Sequence, residues 1–331
     1  MKFKDFIELH RGYDLPKKYR HKGNIPIVAS TGIDGTHNEM RVKGPGVITG
    51  RSGSIGKVSY VNKNFWPLNT TLFVSNFKGN NPKYVYYWLQ QFNLQKYATG
   101  SAVPTLNRND LSNIDIFVHT KFEQDSIVKL LAPFENKIEL ANKINDNLET
   151  IRTVIFNRLF ANKMLNQKNG KIKQIASLST GKRPKRKHDY SSPNHNIPIV
   201  GASKVMGYTS SVLYDNYIIT TGRVGTHGII QRYKEPIWVS DNSFVFMSDH
   251  QDYLYEILKN FVDYSSLNRG STQPLITQTD LKNVDIYIPS ESEFDNFENL
   301  TKYITESQFN LRIENVKLDN LKRMLLENYF V

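Results

Sequence analysis

Residues 133–163 read PFENKIELANKINDNLETIRTVIFNRLFANK. The stretch contains no Gly, and its one Pro stands first, where a helix tolerates it best. Phe134, Ala141, Leu148 and Ile155 recur seven apart, while Ile138, Ile144, Ile151 and Leu159 supply a second apolar row. Charged and amide residues occupy the other faces. Heptad spacing of this kind predicts a long helix that needs a partner along its whole length. The C-terminal stretch supplies one: Phe297, Ile304, Leu311, Leu318 and Leu325 are again seven apart, with Leu300, Val316 and Leu321 beside them. Two such helices, separated by a domain's worth of other sequence, predict an antiparallel intramolecular coiled coil.

Outward from the helices, the chain repeats itself. Ile25-Pro26-Ile27-Val28 returns as Ile197-Pro198-Ile199-Val200, Gly50-Arg51-Ser52-Gly53 as Gly222-Arg223-Val224-Gly225, and Trp66 as Trp238, all at an offset of 172 residues. Residues 100–118, GSAVPTLNRNDLSNIDIFV, match residues 270–288, GSTQPLITQTDLKNVDIYI, at an offset of 170. Within each copy, short β-branched and aromatic runs alternate with Gly, Pro and Asn turns. One helix per copy is expected at Pro82–Gln95 and Gln251–Tyr264, and a short helical turn at Asp110-Leu111 and Asp280-Leu281. The predicted fold is therefore mixed α/β (α+β), with two similar domains at residues 1–120 and 166–290. Helices at 121–165 and 291–331 join them into a dumbbell with an approximate two-fold. Pro133 is expected to kink or restart the first helix, and the polar stretch Asn162–Gly170 to act as a hinge. The second helix is expected to run ~55 Å, more than one turn of B-DNA, and so to serve as a ruler.

Composition narrows the function. With 331 residues and 39% hydrophobic content the chain can bury two cores. No apolar run approaches a membrane span, and the N-terminus lacks a signal-peptide apolar region. The absence of Cys removes thiolate metal sites and Cys nucleophiles, and suits a cytoplasmic location. A formal charge of +12 favours a polyanionic partner, nucleic acid ahead of membrane.

Candidate DNA contacts fall into three groups. The two Gly-Arg-x-Gly-x-x-Gly segments, 50–56 and 222–228, combine glycines that let backbone approach phosphate with a guanidinium fork suited to phosphate or guanine. Arg51, Ser52, Arg223 and Thr226 are the candidates there; the competing role for the arginines is an internal pair with a carboxylate. Basic segments lead into each domain: Arg11, Lys17, Lys18, Arg20 and Lys22 in the first, and Lys182, Arg183, Lys185, Arg186 and Lys187 in the second. Such loops track phosphate, which gives affinity and salt dependence without sequence choice. Base readers are expected where the copies diverge. Thr36, His37 and Arg41 stand in a stretch matched by one containing Tyr208. Asn107, Arg108 and Asn109 stand opposite Ile276, Thr277 and Gln278, with Gln273 close by. Amides favour adenine and Arg favours guanine.

Catalytic signals are missing. Asn81-Pro82-Lys83-Tyr84 has one Pro where a base-methylation motif needs two, and there is no Walker A segment. No acidic cluster is duplicated, and the eight His lack the spacing of a zinc site. Glu123, Glu293, Asp115 and Asp285 read as helix starts or strand ends. The chain is expected to recognise and not to catalyse, with no cofactor or metal of its own.

The pattern resembles the DNA-specificity subunit of type I restriction-modification systems over essentially the whole chain. The resemblance rests on NKIELANKINDNLETI (136–151), the Gly-Arg-x-Gly and Gly-Ser-x-x-Pro segments, and the order domain, helix, domain, helix. It implies two target-recognition domains, each reading half of a bipartite duplex DNA site, with the helices setting the spacer. It further implies that the helices dock methyltransferase subunits, two in number, and that translocating restriction subunits join them. S-adenosylmethionine and ATP would then belong to those partners. The chain is short for that family, which implies trimmed recognition domains. The other reading of the residues is a coiled-coil scaffold that joins proteins without reading DNA sequence.

Overall fold

The computed structural model describes residues 1–100, 104–269 and 275–330. The chain divides into two compact units, Met1–Glu139 with Val316–Val331, and Leu140–Asn315.

The first unit begins with α1 (Phe3–Phe6) and β1 (Glu8–Arg11). There follow β2 (Ile25–Ala29), β3 (Gly32–His37), β4 (Gly46–Gly50), β5 (Val58–Val61), β6 (Trp66–Pro67) and β7 (Thr71–Asn76). Next come α2 (Pro82–Gln91), β8 (Ala98–Thr99), β9 (Thr105–Leu106) and α3 (Arg108–Leu111), before α4 (Lys121–Phe156) leads out. A four-stranded antiparallel sheet has the order β1-β7-β4-β5, and a three-stranded sheet the order β3-β2-β6. Helix α2 starts where Asn81 caps the backbone N–H groups of Lys83 and Tyr84, with Pro82 at its first position. Its buried Tyr84, Tyr87 and Trp88 pack on Phe3, Phe6 and Leu72 in the main core of this unit.

The second unit repeats the plan. After a π-helical turn at Asn157–Ala161 come α5 (Asn162–Asn166), β10 (Gly170–Lys171) and β11 (Ser177–Thr180). The strands β12 (Ile197–Val200), β13 (Val205–Thr209), β14 (Ile218–Gly222), β15 (Gln231–Tyr233), β16 (Trp238–Val239) and β17 (Ser243–Met247) follow. Then come α6 (Gln251–Asn260), α7 (Gln278–Lys282), β18 (Asp285–Ile286) and α8 (Glu291–Phe330). The sheet orders β11-β17-β14-β15 and β13-β12-β16 match those of the first unit. So does the register: Thr49 faces Leu72 and Thr221 faces Phe244, while Ile27 faces Trp66 and Ile199 faces Trp238. The sequence duplication is a duplication of fold.

The long helices pair antiparallel within each unit. In the first, Ile127 and Leu131 of α4 share a core with Leu326 of α8, and Lys322 binds Glu135 at 2.6 Å. In the second, Asn315 donates to Asn142 at 2.9 Å and Arg152 donates to Gln308 at 2.6 Å, while Lys163 pairs with Glu293. The first apolar row holds its place: Phe134, Leu148 and Ile155 are half-buried, Ala141 is buried, and on α8 Phe297 is buried with Ile304, Leu311, Leu318 and Leu325 half-buried.

The second row is corrected. Ile138 and Leu159 are half-buried in it, but Ile144 and Ile151 lie 41% and 49% exposed, and Asn145 and Arg152 take the seam instead. On α8, Leu300, Val316 and Leu321 are at least half exposed, and Thr301, Gln308, Asn315 and Lys322 face inward. Apolarity favours Ile over Arg at an inner position, yet Arg152 is completely buried because its charge is met. It donates to Glu256 at 2.9 Å and pairs with Glu149. Two further expectations change. The helix continues through Pro133, where both Pro133 and Lys129, whose carbonyl loses its donor, are exposed to water. Helix α5 extends through Asn166, which leaves only residues 167–169 between the helical run and β10.

Candidate nucleic-acid interface

Each Gly-Arg turn is built by close backbone approach. Strand β4 ends at Gly50 and β14 at Gly222, where a Cβ would sit 2.1 Å from the Ser54 carbonyl oxygen and 1.7 Å from that of Thr226. Gly53 and Gly225 adopt φ of +78° and +75°, which a side chain disfavours. The backbone is then fixed the same way in both copies. Arg51 N donates to Thr70 O and Arg223 N to Asn242 O, each at 2.8 Å. The arginine carbonyls accept from Leu106 N at 2.8 Å and Ile276 N at 3.1 Å. Both arginine side chains are half-buried, and neither has a hydrogen bond or ion pair among the described residues. The competing role, an internal pair with a carboxylate, is not taken up among those residues. Ser52 is half-buried beside Thr105, and Thr226 is exposed at the tip of its turn.

The segment pinned to each turn carries the next candidates. Asn107 caps α3 by accepting from Asn109 N at 3.1 Å, and Thr277 caps α7 by accepting from Asp280 N at 3.2 Å. The two caps are structural equivalents, so Asn107 matches Thr277 and Arg108 matches Gln278. This is the pairing that the 170-residue offset requires, and it replaces the pairing with Ile276 and Thr277. Their oxygens are occupied in capping, which costs about 1 kcal/mol to lose. Arg108 reaches back to donate to Leu9 O at 3.1 Å, and Gln278 donates to Thr180 Oγ1 at 2.8 Å. In the first unit Arg11, Arg51 and Arg108 share one cleft of about 440 Å³ with His10, Thr99 and Asn107, and among the described residues no carboxylate lines it. His10 escapes a reading of the sequence, because β1 looks there like part of a basic lead-in and not like a strand. Gln273 and much of each Gly-Ser-x-x-Pro segment lie outside the described residues.

The basic lead-ins separate into free and engaged residues. Lys17, Lys18 and Lys22 are exposed, with Lys18 over the Tyr19 ring at 4.8 Å, and Arg11 is exposed at the end of β1. Arg20 instead holds the β2–β3 region together, donating to Asp34 Oδ2 at 2.9 Å and to Leu15 O at 3.3 Å. Lys182, Arg183, Lys185 and Arg186 are exposed, and Lys187 stands 3.7 Å from Asp189. In the divergent stretch Thr36 is exposed, but His37 is only 3% exposed and is withdrawn from the candidate contacts. It lies at the inward end of an otherwise mostly exposed strand, where its Nδ1 accepts from His21 N at 3.1 Å and its ring meets Trp66 edge-on. Arg41 lies 5.3 Å from both the Tyr13 and Trp66 rings. Tyr208 is half-buried and exchanges backbone hydrogen bonds with His188.

The acidic residues are structural. Asp115 pairs with Lys2 at 2.7 Å and Asp285 with Lys171 at 2.6 Å, in equivalent places. Glu123 accepts from Thr120 N at 2.8 Å and Glu293 from Ser290 N at 2.9 Å, closing the first turns of α4 and α8. Among the described residues no three His, Asp or Glu gather to hold a metal ion, and no helix is long and apolar enough to cross a membrane.

Comparison with known proteins follows the same lines. The family profile described as type I restriction modification DNA specificity domain matches residues 1–150 and again 164–317. The crystal structure of the S subunit of a type I restriction-modification system from M. genitalium has the same fold. Its TM-score is 0.63 at 17% identity, covering 100% of this chain and 95% of that one. Two looser likenesses are a chain from a structure of type I R-M complex assembly and the HsdS subunit from Thermoanaerobacter tengcongensis. The first has a TM-score of 0.37 at 12% identity, covering 100% of this chain and 96% of that one. The second has 0.30 at 13%, covering 87% and 81%. No curated protein matches the chain.

Proposed function

The chain belongs to the type I restriction modification DNA specificity family, and on that premise we propose that its two domains each read one half of a bipartite duplex site. The long helices dock methyltransferase subunits, two per chain, and restriction subunits join the full complex. S-adenosylmethionine and ATP belong to those partners, and this chain supplies recognition alone. The observation that carries the reading is the pair of guanidiniums without a partner among the described residues, Arg51 and Arg223, held by matching backbone hydrogen bonds in the two copies. A half-buried cation without a counter-charge is costly inside a protein and suits one presented to an anion or to a guanine edge. The net charge of +12 supports a polyanionic partner.

Docking is supported by the outer face of the helices in the second unit. Leu140, Ile144, Ile151 and Val154 of α4 are 41–59% exposed, as are Leu300 and Ile313 of α8 at 50% and 43%. An apolar stripe of this kind marks a protein-binding face. The test is binding by the complex assembled with its methyltransferase, measured across salt against random-sequence competitor. Arg51→Ala and Arg223→Ala are each expected to weaken one half-site by about 1–3 kcal/mol. Equal loss at both half-sites from either change would count against the reading.

A further inference from the structure

The two recognition domains share a scaffold but differ in charge at one place. In the first, Arg11 ends β1 opposite Leu72, Arg51 occupies the Gly-Arg turn, and Arg108 opens α3. These three guanidiniums converge on a single cleft with no acidic neighbour among the described residues of its lining. Arg11 and Arg51 have no side-chain partner among the described residues, and Arg108 is aimed by one neutral bond to the Leu9 carbonyl at 3.1 Å. In the second domain, Thr180 stands opposite Phe244 where Arg11 stands opposite Leu72, and Gln278 replaces Arg108. These two bond each other at 2.8 Å, leaving Arg223 as the one arginine at the three matching positions, while Arg269, which stands where Thr99 stands, is paired with Asp280.

From this difference we infer that the first domain carries a phosphate clamp, built by Arg11, Arg51 and Arg108 for a phosphodiester of the bound duplex, which the second domain lacks. The inference rests on the DNA-reading function proposed above. One arginine fork saturates the O6 and N7 acceptors of a guanine, so a base edge leaves two of the three cations uncompensated. A phosphate offers several acceptor oxygens and a formal negative charge, and accepts bonds from more than one guanidinium at once. Recognition is therefore electrostatically lopsided at this cleft, while each domain keeps the exposed cations of its own basic lead-in, Lys17, Lys18 and Lys22 in the first and Lys182, Arg183, Lys185 and Arg186 in the second.

The experiment exchanges the two designs in the full chain assembled with its methyltransferase. The double variant Arg11→Thr/Arg108→Gln installs the neutral pair of the second domain, which that scaffold already accommodates. Binding to specific and random duplexes is measured across salt, and the salt slope is expected to fall by about 0.9 for each phosphate no longer neutralised. Affinity falls uniformly across sequences, with base preference unchanged. The reverse variant, Thr180→Arg/Gln278→Arg, is expected to steepen the slope. Relaxed preference at one base pair with an unaltered slope would show a base reader and overturn the clamp, as would no change in either quantity. Sequence preference of the unaltered complex is the separate control on DNA reading. If that control fails, inorganic pyrophosphate provides the remaining arm. It raises the thermal midpoint of the unaltered chain and not that of Arg11→Thr/Arg108→Gln if the site is an anion site, and an equal response overturns it.

Discussion

Arg152 shows how a single residue decides which face of a helix is inside. It is fully buried, and its guanidinium meets Glu256 at 2.9 Å, Gln308 at 2.6 Å, Thr305 at 3.4 Å and Glu149. Arg232 joins the same network through Gln308 at 2.6 Å and Asp252 at 3.4 Å. Burying charges is unfavourable unless each is matched, so removal of one partner is far worse than the net worth of the set. Arg152→Met should therefore cost the full chain about 3–5 kcal/mol in urea unfolding, because Glu256, also fully buried, is left without its cation. A loss within ~0.5 kcal/mol, as for an ordinary surface change, would mean the network contributes little. A second carboxylate in this region behaves oppositely to the first. Burial resists ionisation of Glu149, but Arg152 and Lys259 outweigh it and hold the group at about 2. Burial and then the charge of Asp252 push Glu298 up to about 8, against an ordinary value of 4.5. A raised carboxyl binds its proton more tightly when folded, so its contribution is full below 4.5 and is lost as pH rises toward 8. Glu298→Gln keeps an acceptor for Tyr253 N and removes the titration. Its stability relative to the unaltered chain should rise steadily between those pH values in urea titrations, and parallel curves would contradict the assignment.

At the scale of elements, the heptad rows made the two helices and their partnership legible, while half of the seam was not. The alignment of a positions, Phe134, Ala141 and Leu148, follows from apolar spacing alone. The inner positions Asn145, Arg152, Thr301 and Gln308 are polar, and nothing local distinguishes them from surface residues. Their partners lie far away in sequence, as Arg152 and Glu256 do. The Gly-Arg turns and the repeated registers were legible because both copies announce them, whereas His37 and Arg20 are placed by contacts across the fold, His37 with His21 and Trp66 and Arg20 with Asp34. The corrected seam makes a sharp prediction. Ile144→Asp and Ile151→Asp should leave unfolding within ~0.5 kcal/mol of the parent, as surface changes do, yet reduce co-purification with the methyltransferase. Leu148→Asp, between those two positions on the same helix, should destabilise the fold by several kcal/mol, since it places an unpaired carboxylate in a packed seam. If the Ile variants unfold the chain and the Leu variant does not, the seam assignment is reversed.

At the scale of the whole molecule, the chain passes from the first unit to the second along α4 and returns along α8. Any change in length between the two readers must therefore be made in both helices. A four-residue insertion in α4 alone, near Asn145, advances the seam by more than a full turn and strands Arg152 away from Thr305 and Gln308. Such an insertion confounds spacing with unfolding. Seven residues preserve the heptad phase, and Asn142 and Asn315 face each other at 2.9 Å, which marks where matched insertions keep every downstream pair in register. With seven heptad-phased residues added just before Asn142 and seven just after Asn315, each half-site preference should be retained. The spacer tolerated between half-sites should lengthen, by about 10 Å of helix rise, or roughly three base pairs. Selection of bound duplexes from a pool with randomised spacers reads this directly. An unchanged spacer with intact half-site preference would show that the helices do not set the distance, and would leave the two readers coupled only through their partners.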